Sequence, residues 1–98
     1  MDAIIANAIR NRERLNFTYW PGDRLVEPHA LGWSSNGDLL LRAYQVEGES
    51  ESGEHENWKL FRVDRADAAS GSGDRFQGPR PGYKRSDSAM KGGIIEQL

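Results

Sequence analysis

The spacing of hydrophobic residues changes near residue 15 from a helical period to an alternating one. Over residues 2–14, Ile5 and Ile9 lie four positions apart with small and polar residues between them, as on one face of a helix. From residue 15 the stretch LNFTYW alternates apolar and polar side chains, which is typical of a strand. The pattern therefore predicts a short N-terminal helix whose narrow apolar face packs on a sheet.

Four more extended segments follow, each bounded by turn or loop signals. They are residues 24–34, 38–46, 57–63 and, more weakly, 66–73. The sequences Pro21-Gly22-Asp23 and Ser35-Asn36-Gly37-Asp38 predict tight turns before the first two segments. Residues 47–56, EGESESGEHE, are too polar to pack and predict a solvated hairpin loop.

These elements predict a small, mainly β fold. A chain of 98 residues has room for one core, and a few short strands bury their apolar faces most economically by bending into a closed sheet. We therefore expect residues 1–74 to form an SH3-like or Sm-like β-barrel of four or five strands with an N-terminal helix. A split meander packed on the helix is the alternative.

Residues 75–98 form a C-terminal extension with a composition of its own. Its basic part has five cations against one acid, and its prolines and glycines predict an extended chain. Met90, Ile94 and Leu98 lie four apart and predict a short closing helix. We expect the extension either to enlarge a basic surface or to wrap the barrel through its apolar side chains, and the two interpretations are compatible.

The composition argues against several kinds of active site. There is no cysteine, so disulfides and thiolate metal sites are excluded. The two histidines, His29 and His55, lie far apart in the sequence, and the glutamates of the 47–56 loop lack the spacing of a calcium loop. The sequence also has no nucleophile motif and no glycine-rich phosphate loop. We therefore expect no enzyme activity, no metal and no cofactor.

The two ends of the chain suggest where the protein is found. The N-terminal sequence MDAIIANAIRNRERL has no long apolar run, so we expect no membrane segment and a cytoplasmic protein. The initial Met1 and the ending IIEQL lead us to expect a complete small protein rather than a fragment of a larger one.

Cations and aromatic residues on or beside the predicted strands are the candidates for ligand binding. The cations are Arg24, Arg42, Lys59, Arg62 and Arg65, and the aromatic residues are Tyr19, Trp20, Trp33, Tyr44 and Trp58. Arg42 lies in mid-strand between apolar neighbours, where a charged group is costly unless it has a partner. It pairs with Glu27, Asp64 or Asp67, reaches solvent on an open sheet face, or joins a groove of guanidinium groups and rings that binds phosphates and bases.

The order of several short motifs resembles the WYL domain family. After the helix and LNFTYW come RLVEP at 24–28, the pattern G-x-x-x-L-x-A-Y at 37–44, and FRVDR at 61–65. The resemblance covers roughly residues 3–67. The Trp-Tyr-Leu that names the family falls on Leu39-Leu40-Leu41, so that only the leucine is kept.

The resemblance implies an Sm-like, SH3-type barrel that serves as a ligand-sensing module in bacteria and phages. Such domains bind nucleic acid, notably single-stranded DNA, or nucleotide-type ligands through a basic patch, and they usually regulate a fused or partner protein. The positions that match the family's polar and aromatic residues are Tyr19, Arg24, Arg42, Tyr44, Arg62 and Arg65. The C-terminal extension adds Arg80, Lys84 and Arg85 as an auxiliary basic tail.

Residues and resemblance together predict a non-enzymatic regulatory module that recognises nucleic acid or a nucleotide. It is expected to use a basic and aromatic patch and, as the resemblance implies, to take part in transcription regulation. The alternative is a protein-interaction or homodimerisation module that does not bind nucleic acid, because small sheets leave strand edges that invite pairing.

Overall fold

The N-terminal helix, α1, spans Asp2–Asn11 in the computed structural model, which describes residues 2–98. It ends because Arg12 adopts the left-handed conformation, with a φ of 52°, and the first strand begins at Glu13. Arg14, which the sequence pattern assigned to the helix, therefore lies on a strand. Neither α1 nor any other helix among these residues is long and apolar enough to cross a membrane.

Six strands follow the helix, more than the four or five that the sequence predicted. They are β1 (Glu13–Tyr19), β2 (Gly22–Trp33), β3 (Leu39–Gly48), β4 (Asn57–Arg62), β5 (Asp67–Arg75) and β6 (Gly93–Gln97). One 3-10 turn, Val63–Arg65, joins β4 to β5, and a second, Ser88–Met90, precedes β6. The prediction of a mainly β chain with an N-terminal helix is confirmed.

The strands form one antiparallel sheet in the order β4-β3-β2-β1-β5, and β6 pairs with β2 off this path. Strand β2 is long enough to pair with β1 through residues 22–26 and with β6 through residues 30–33. Its register with β3 shifts between Pro28 and Ala30, an irregularity of the kind that bends a strand. The sheet is not closed, because β4 and β5 are its two ends and no ladder joins them among the described residues.

The main core lies between α1 and the inner face of the sheet. Ile5 and Ile9 of the helix pack in one buried cluster with Phe17, Leu41 and Phe61 from three different strands. The rings of Phe17 and Phe61 meet edge to face, with 4.9 Å between their centroids. The apolar residues of the first strand and of FRVDR therefore serve the core, as their alternation predicted.

The outer face of β2, β3 and β4 is covered in part by the segment 76–92, which we call the C-terminal strap. Met90 of the strap packs against Ala30 of β2, and Tyr83 borders the same apolar cluster. Phe76, where the strap begins, is buried as well. The strap therefore wraps the sheet through its apolar side chains, which was one of the two expected roles of the extension.

The prediction of a closing helix at the C-terminus is wrong. Residues 93–97 form β6, which pairs with β2, and the only helical piece nearby is the 3-10 turn before it. Gly92 allows this pairing: its N–H donates to the carbonyl of Trp33 at 2.8 Å, and a Cβ there would lie 2.3 Å from the carbonyl oxygen of Ser34. The four-residue spacing of Met90, Ile94 and Leu98 therefore does not produce a helix, because this backbone contact between distant parts of the sequence places the segment on the sheet.

Candidate functional site

Arg24 is an internal side chain rather than part of an exposed patch. It is 4% exposed, and its guanidinium donates to the carbonyls of Tyr19 and Trp20 at 3.2 and 2.7 Å and to Oε1 of Gln45 at 3.1 Å. It also lies over the rings of Tyr19 and Phe61. Arg24 therefore holds the turn between β1 and β2 in place, and the ring of Tyr19 belongs to this internal cluster.

The acidic loop between β3 and β4 lies beside Arg24 and Lys59. Burial lowers the pKa of Arg24 from its ordinary value, although Tyr19, Glu49 and Glu51 oppose the shift by attracting the charge. The Nζ of Lys59 donates to two serine hydroxyls of the same loop. Glu51 lines a shallow cleft with these cations. The loop thus neutralises this side of the molecule.

Arg62 and Arg65 lie at the end of β4 and in the turn that follows, on the surface. Nη2 of Arg62 lies 2.8 Å from Asp64 and 3.3 Å from Asp38, and the hydrogen bond to Asp64 raises its pKa above the ordinary value. Arg65 is exposed and has no ion pair among residues 2–98. These two arginines therefore lie on the surface, whereas the guanidinium of Arg24 is buried.

Arg42 is paired with Asp87 of the C-terminal strap, not with the carboxylates that the sequence suggested. Its Nε lies 2.7 Å from Oδ2 of Asp87, although the two residues are 45 positions apart. Burial opposes ionisation of Asp87, but the hydrogen bonds from Arg42 and from the N–H of Ala89, together with the charge of Arg42, outweigh it and lower the pKa of the carboxyl. Pairing with Glu27, Asp64 or Asp67 was wrong because the strap, and not a neighbouring strand, lies over Arg42.

A small cleft with aromatic walls opens beside this ion pair, and we call it the aromatic cleft. It has a volume of about 180 Å³ and is lined by Arg42, Trp58, Gly82, Tyr83, Lys84 and Asp87. The rings of Trp58 and Tyr83 are nearly parallel, at 21°, with 6.2 Å between centroids. Two of the predicted cations, Arg42 and Lys84, thus lie next to two ring faces.

Glu27 lies on the outer face beneath two arginines. Its carboxylate is 2% exposed and lies 2.9 Å from Nη2 of Arg14 and 2.7 Å from Nε of Arg80. Burial opposes ionisation, but the hydrogen bonds and the positive charges of Arg80 and Arg14 together outweigh it and hold the pKa of Glu27 below its ordinary value. Arg80 also lies over the ring of Tyr44, 4.2 Å from its centroid. The predicted Tyr44 and Arg80 therefore meet directly, and the carboxylate of Glu27 neutralises part of the charge of Arg80.

A larger cleft, which we call the arginine cleft, is bordered by this group. Its volume is about 480 Å³, and it is lined by Arg14, Glu27, Arg75, Phe76, Gln77, Gly78, Pro79, Arg80 and Pro81. Arg85, the third member of the predicted basic tail, lies elsewhere and donates to the carbonyl of Leu98. The predicted residues are thus divided among the two clefts, the interior and the surface, and do not form one patch.

Comparison with known proteins agrees with the motif order. A family model described as WYL domain matches residues 3–70. The chain belongs to the WYL domain family. WYL domains are generally regulatory modules that sense a ligand or nucleic acid. No curated protein and no solved structure matches this WYL chain.

The WYL match ends at residue 70, before the C-terminal strap begins. The strap supplies Arg80 to the arginine cleft, and Tyr83 and Asp87 to the aromatic cleft. Each cleft of this WYL chain therefore takes two lining residues from the matched region and the rest from the segment that follows it.

His29 joins the strap to the sheet and was not expected to have a role of its own. It is fully buried, its Nδ1 lies 2.8 Å from the carbonyl of Glu27, and its Nε2 accepts from the backbone N–H of Arg80. Its ring contacts Trp58 and Tyr83. Burial lowers the pKa of His29, so the neutral form that makes both hydrogen bonds is favoured.

Sequence reasoning missed the importance of Glu27, His29 and Arg14. The first two lie in the middle of β2, in a run of residues that are all buried. Two polar residues around a proline inside an otherwise apolar strand are a signal that a partner covers them. Arg14 was missed because the helix was predicted to extend as far as this residue.

Proposed function

We propose that this WYL chain is a non-enzymatic regulatory module that binds single-stranded nucleic acid or a nucleotide-type ligand in the aromatic cleft. The observation that supports it is the pair of nearly parallel rings, Trp58 and Tyr83, beside the cations Arg42 and Lys84. Bases stack on aromatic rings with little regard to sequence, and adjacent cations attract the phosphates.

The proposal includes the features that the family resemblance implies. The bent, open sheet would be an SH3-like or Sm-like barrel with a gap between β4 and β5. The module would work in the cytoplasm of a bacterium or a phage-infected cell and would report ligand binding to a regulated partner protein, for example in transcription.

Removal of a cleft ring tests the proposal directly. We expect Trp58→Ala to weaken binding of a labelled single-stranded oligonucleotide roughly tenfold, because stacking on one ring contributes about 1–3 kcal/mol. Trp20→Ala is the matched control, because Trp20 is 71% exposed and lies outside the cleft. Fluorescence anisotropy at low salt measures both. Absence of binding by the wild type, or equal losses in the two variants, would contradict the proposal.

The salt dependence of binding tests the cation Lys84. If Lys84 contacts a phosphate, Lys84→Gln should reduce the slope of log K against log salt by about one. Lys91→Gln removes an equal charge from another exposed position and should leave the slope unchanged. The oligonucleotide titration is repeated at several salt concentrations. Equal slopes for Lys84→Gln and the wild type would remove Lys84 from the site.

Asp87 competes with a ligand phosphate for Arg42. We therefore expect Asp87→Asn to raise oligonucleotide affinity by roughly fivefold, since a partly exposed ion pair contributes up to about 1 kcal/mol. Asparagine can still accept the hydrogen bond from the N–H of Ala89, so the turn is kept. Asp64→Asn, which removes one of the two carboxylate partners of the surface residue Arg62, is the control. An unchanged or lower affinity of Asp87→Asn would show that Arg42 does not bind the ligand.

The open ends of the sheet support a second candidate, pairing between copies of the chain or with another protein. Strand β4 ends the sheet on one side and carries the exposed Leu60. Exposed strand edges are templates for pairing. A dimer mass in solution together with absence of oligonucleotide binding would favour this candidate over the first.

A further inference from the structure

The arginine cleft has features of an anion site that are independent of the aromatic cleft. Three arginines and one glutamate line it, which leaves an excess of two positive charges. The rest of the lining includes Phe76 and two prolines. Its volume of about 480 Å³ lies in the range of small-molecule sites, roughly 300–1,000 Å³.

The buried Glu27 fixes the orientation of two of these arginines. Arg14 directs Nε and Nη2 at the carboxylate, at 3.0 and 2.9 Å, and Arg80 directs the same two nitrogens at it, at 2.7 and 3.3 Å. Nη1 of either arginine has no hydrogen-bond partner within residues 2–98. Each guanidinium therefore keeps donors for a ligand while its position is already determined.

Further contacts hold Arg80 in place. The ring of Tyr44 lies under its guanidinium, and its backbone N–H donates to Nε2 of His29 at 3.1 Å. A side chain whose conformation is set before binding loses little entropy when the ligand arrives. The arrangement is therefore that of a prepared binding group rather than of a mobile surface arginine.

Arg75 supplies a third, uncommitted cation. It is exposed and makes no ion pair in the described part of the chain. Glu13 lies opposite it across the β1–β5 ladder, but the carboxylate of Glu13 instead accepts from the N–H of Gly73 at 3.0 Å. Arg75 can therefore turn toward an anion in the cleft without breaking a native contact.

We propose that the arginine cleft binds the phosphate group of a small phosphomonoester, such as a nucleoside monophosphate. Arginine forks match phosphate oxygens in geometry and charge, and Phe76 and the prolines offer apolar contact to the rest of the ligand. Pro81 lines this cleft and the next residue, Gly82, lines the aromatic cleft. The two clefts are thus neighbours along the strap. Phosphate binding in the arginine cleft goes beyond the proposed function, which concerns the aromatic cleft.

Titration with inorganic phosphate and with AMP, followed by NMR spectra that include the arginine Nε–H signals, tests the site. We expect both ligands to shift the signals of Arg14 and Arg80, and Arg75→Gln to weaken binding roughly tenfold, the usual loss for a hydrogen bond to a charged group. Arg65→Gln, which changes another exposed arginine outside the cleft, should bind like the wild type. An unaltered affinity of Arg75→Gln, or adenosine binding as tightly as AMP, would overturn the proposal.

Oligonucleotides that carry a 5′-phosphate or a 5′-hydroxyl show whether the bound phosphate belongs to the end of a strand or to a free nucleotide. If AMP binds, tighter binding of the phosphorylated strand identifies a strand end as a ligand, and equal binding identifies a free nucleotide; both support the site. If neither phosphate nor AMP binds, the site is overturned. That result would leave the oligonucleotide test of Trp58 unaffected, so the two proposals fail separately.

Discussion

Replacement of Glu27 by glutamine should lower the free energy of unfolding by about 3 kcal/mol. The change leaves two guanidinium groups without the carboxylate that neutralises them, and removal of one partner from a buried ion pair typically costs about 3–5 kcal/mol. We expect the lower end, because the side chains of Arg14 and Arg80 are 32% and 33% exposed and water compensates part of the loss. Urea denaturation at neutral pH measures the effect.

A matched control separates burial from charge in this experiment. Glu96 also pairs with an arginine, Arg10, at 2.7 Å, but the arginine is 59% exposed. Glu96→Gln removes the same charge and should cost less than about 1 kcal/mol, as surface ion pairs do. A similar loss in both variants would show that Glu27 is no more than an ordinary surface partner, and the fixed orientation of the arginine cleft would then be in doubt.

The position of Glu27 also explains how the strap is attached to the WYL fold. The carboxylate joins Arg14 of β1 and Arg80 of the strap to β2, so that three separate parts of the chain meet at one buried charge. The neighbouring ion pair between Arg42 and Asp87 attaches the strap to β3. The strap is thus held by two ion pairs and by the apolar cluster around Met90. The ion pairs require specific partners at specific distances, so they define the position of the strap more closely than apolar packing alone would.

Local patterns predicted the helix and the first five strands. The alternation in LNFTYW and in residues 38–46 depends on neighbours two positions away, and the core contains the side chains that it selected, such as Phe17 and Leu41. The hairpin turn was likewise readable from Asn36-Gly37, because a tight turn needs a residue that accepts a positive φ, and Gly37 has a φ of 86°.

Contacts made by the strap could not be predicted in the same way. Asp87 lies 45 residues from Arg42 and Arg80 lies 53 residues from Glu27, so no periodicity relates the partners. The sequence showed that buried polar residues need partners but did not show which ones. For the same reason β6 was mistaken for a helix, because its identity depends on pairing with β2.

The predicted cations do not form one binding patch, because several of them are already bound to other groups of the protein. Arginines were assigned to a patch by residue type, but Arg24 is buried among carbonyls and Arg62 is held by two surface aspartates. Arg24 and Lys59 share their shallow cleft with Glu51, whereas Arg42 lines the aromatic cleft. Residue type and strand position were thus insufficient to predict which arginines can bind a ligand, because the answer also depends on the partner of each charge.

Acidification should destabilise the protein through His29, well before its carboxylates are protonated. Burial lowers the pKa of His29 below its ordinary value of 6.5. As the pH falls below 6.5, the unfolded state therefore takes up a proton that the folded state excludes. Stability from this residue is complete above that pH and falls by at most about 1.4 kcal/mol per pH unit below it, until the folded imidazole is itself protonated. Glu27 and Asp87, whose ordinary values are 4.5 and 3.8, contribute mainly at lower pH.

Urea denaturation at steps between pH 7.5 and about 5 measures this slope, and His29→Gln should abolish it, because a glutamine does not titrate. The absolute stability of the variant does not matter, since the slope alone is compared. His55→Gln is the matched control: His55 is the other histidine of the chain, exposed in the acidic loop, and its removal should leave the slope intact. A slope that persists in His29→Gln would mean that another group causes the pH dependence. A slope that disappears only in His29→Gln would mean that the folded protein keeps this imidazole neutral, as the hydrogen bond from the Arg80 N–H requires, and that acid acts on stability through this one residue of β2.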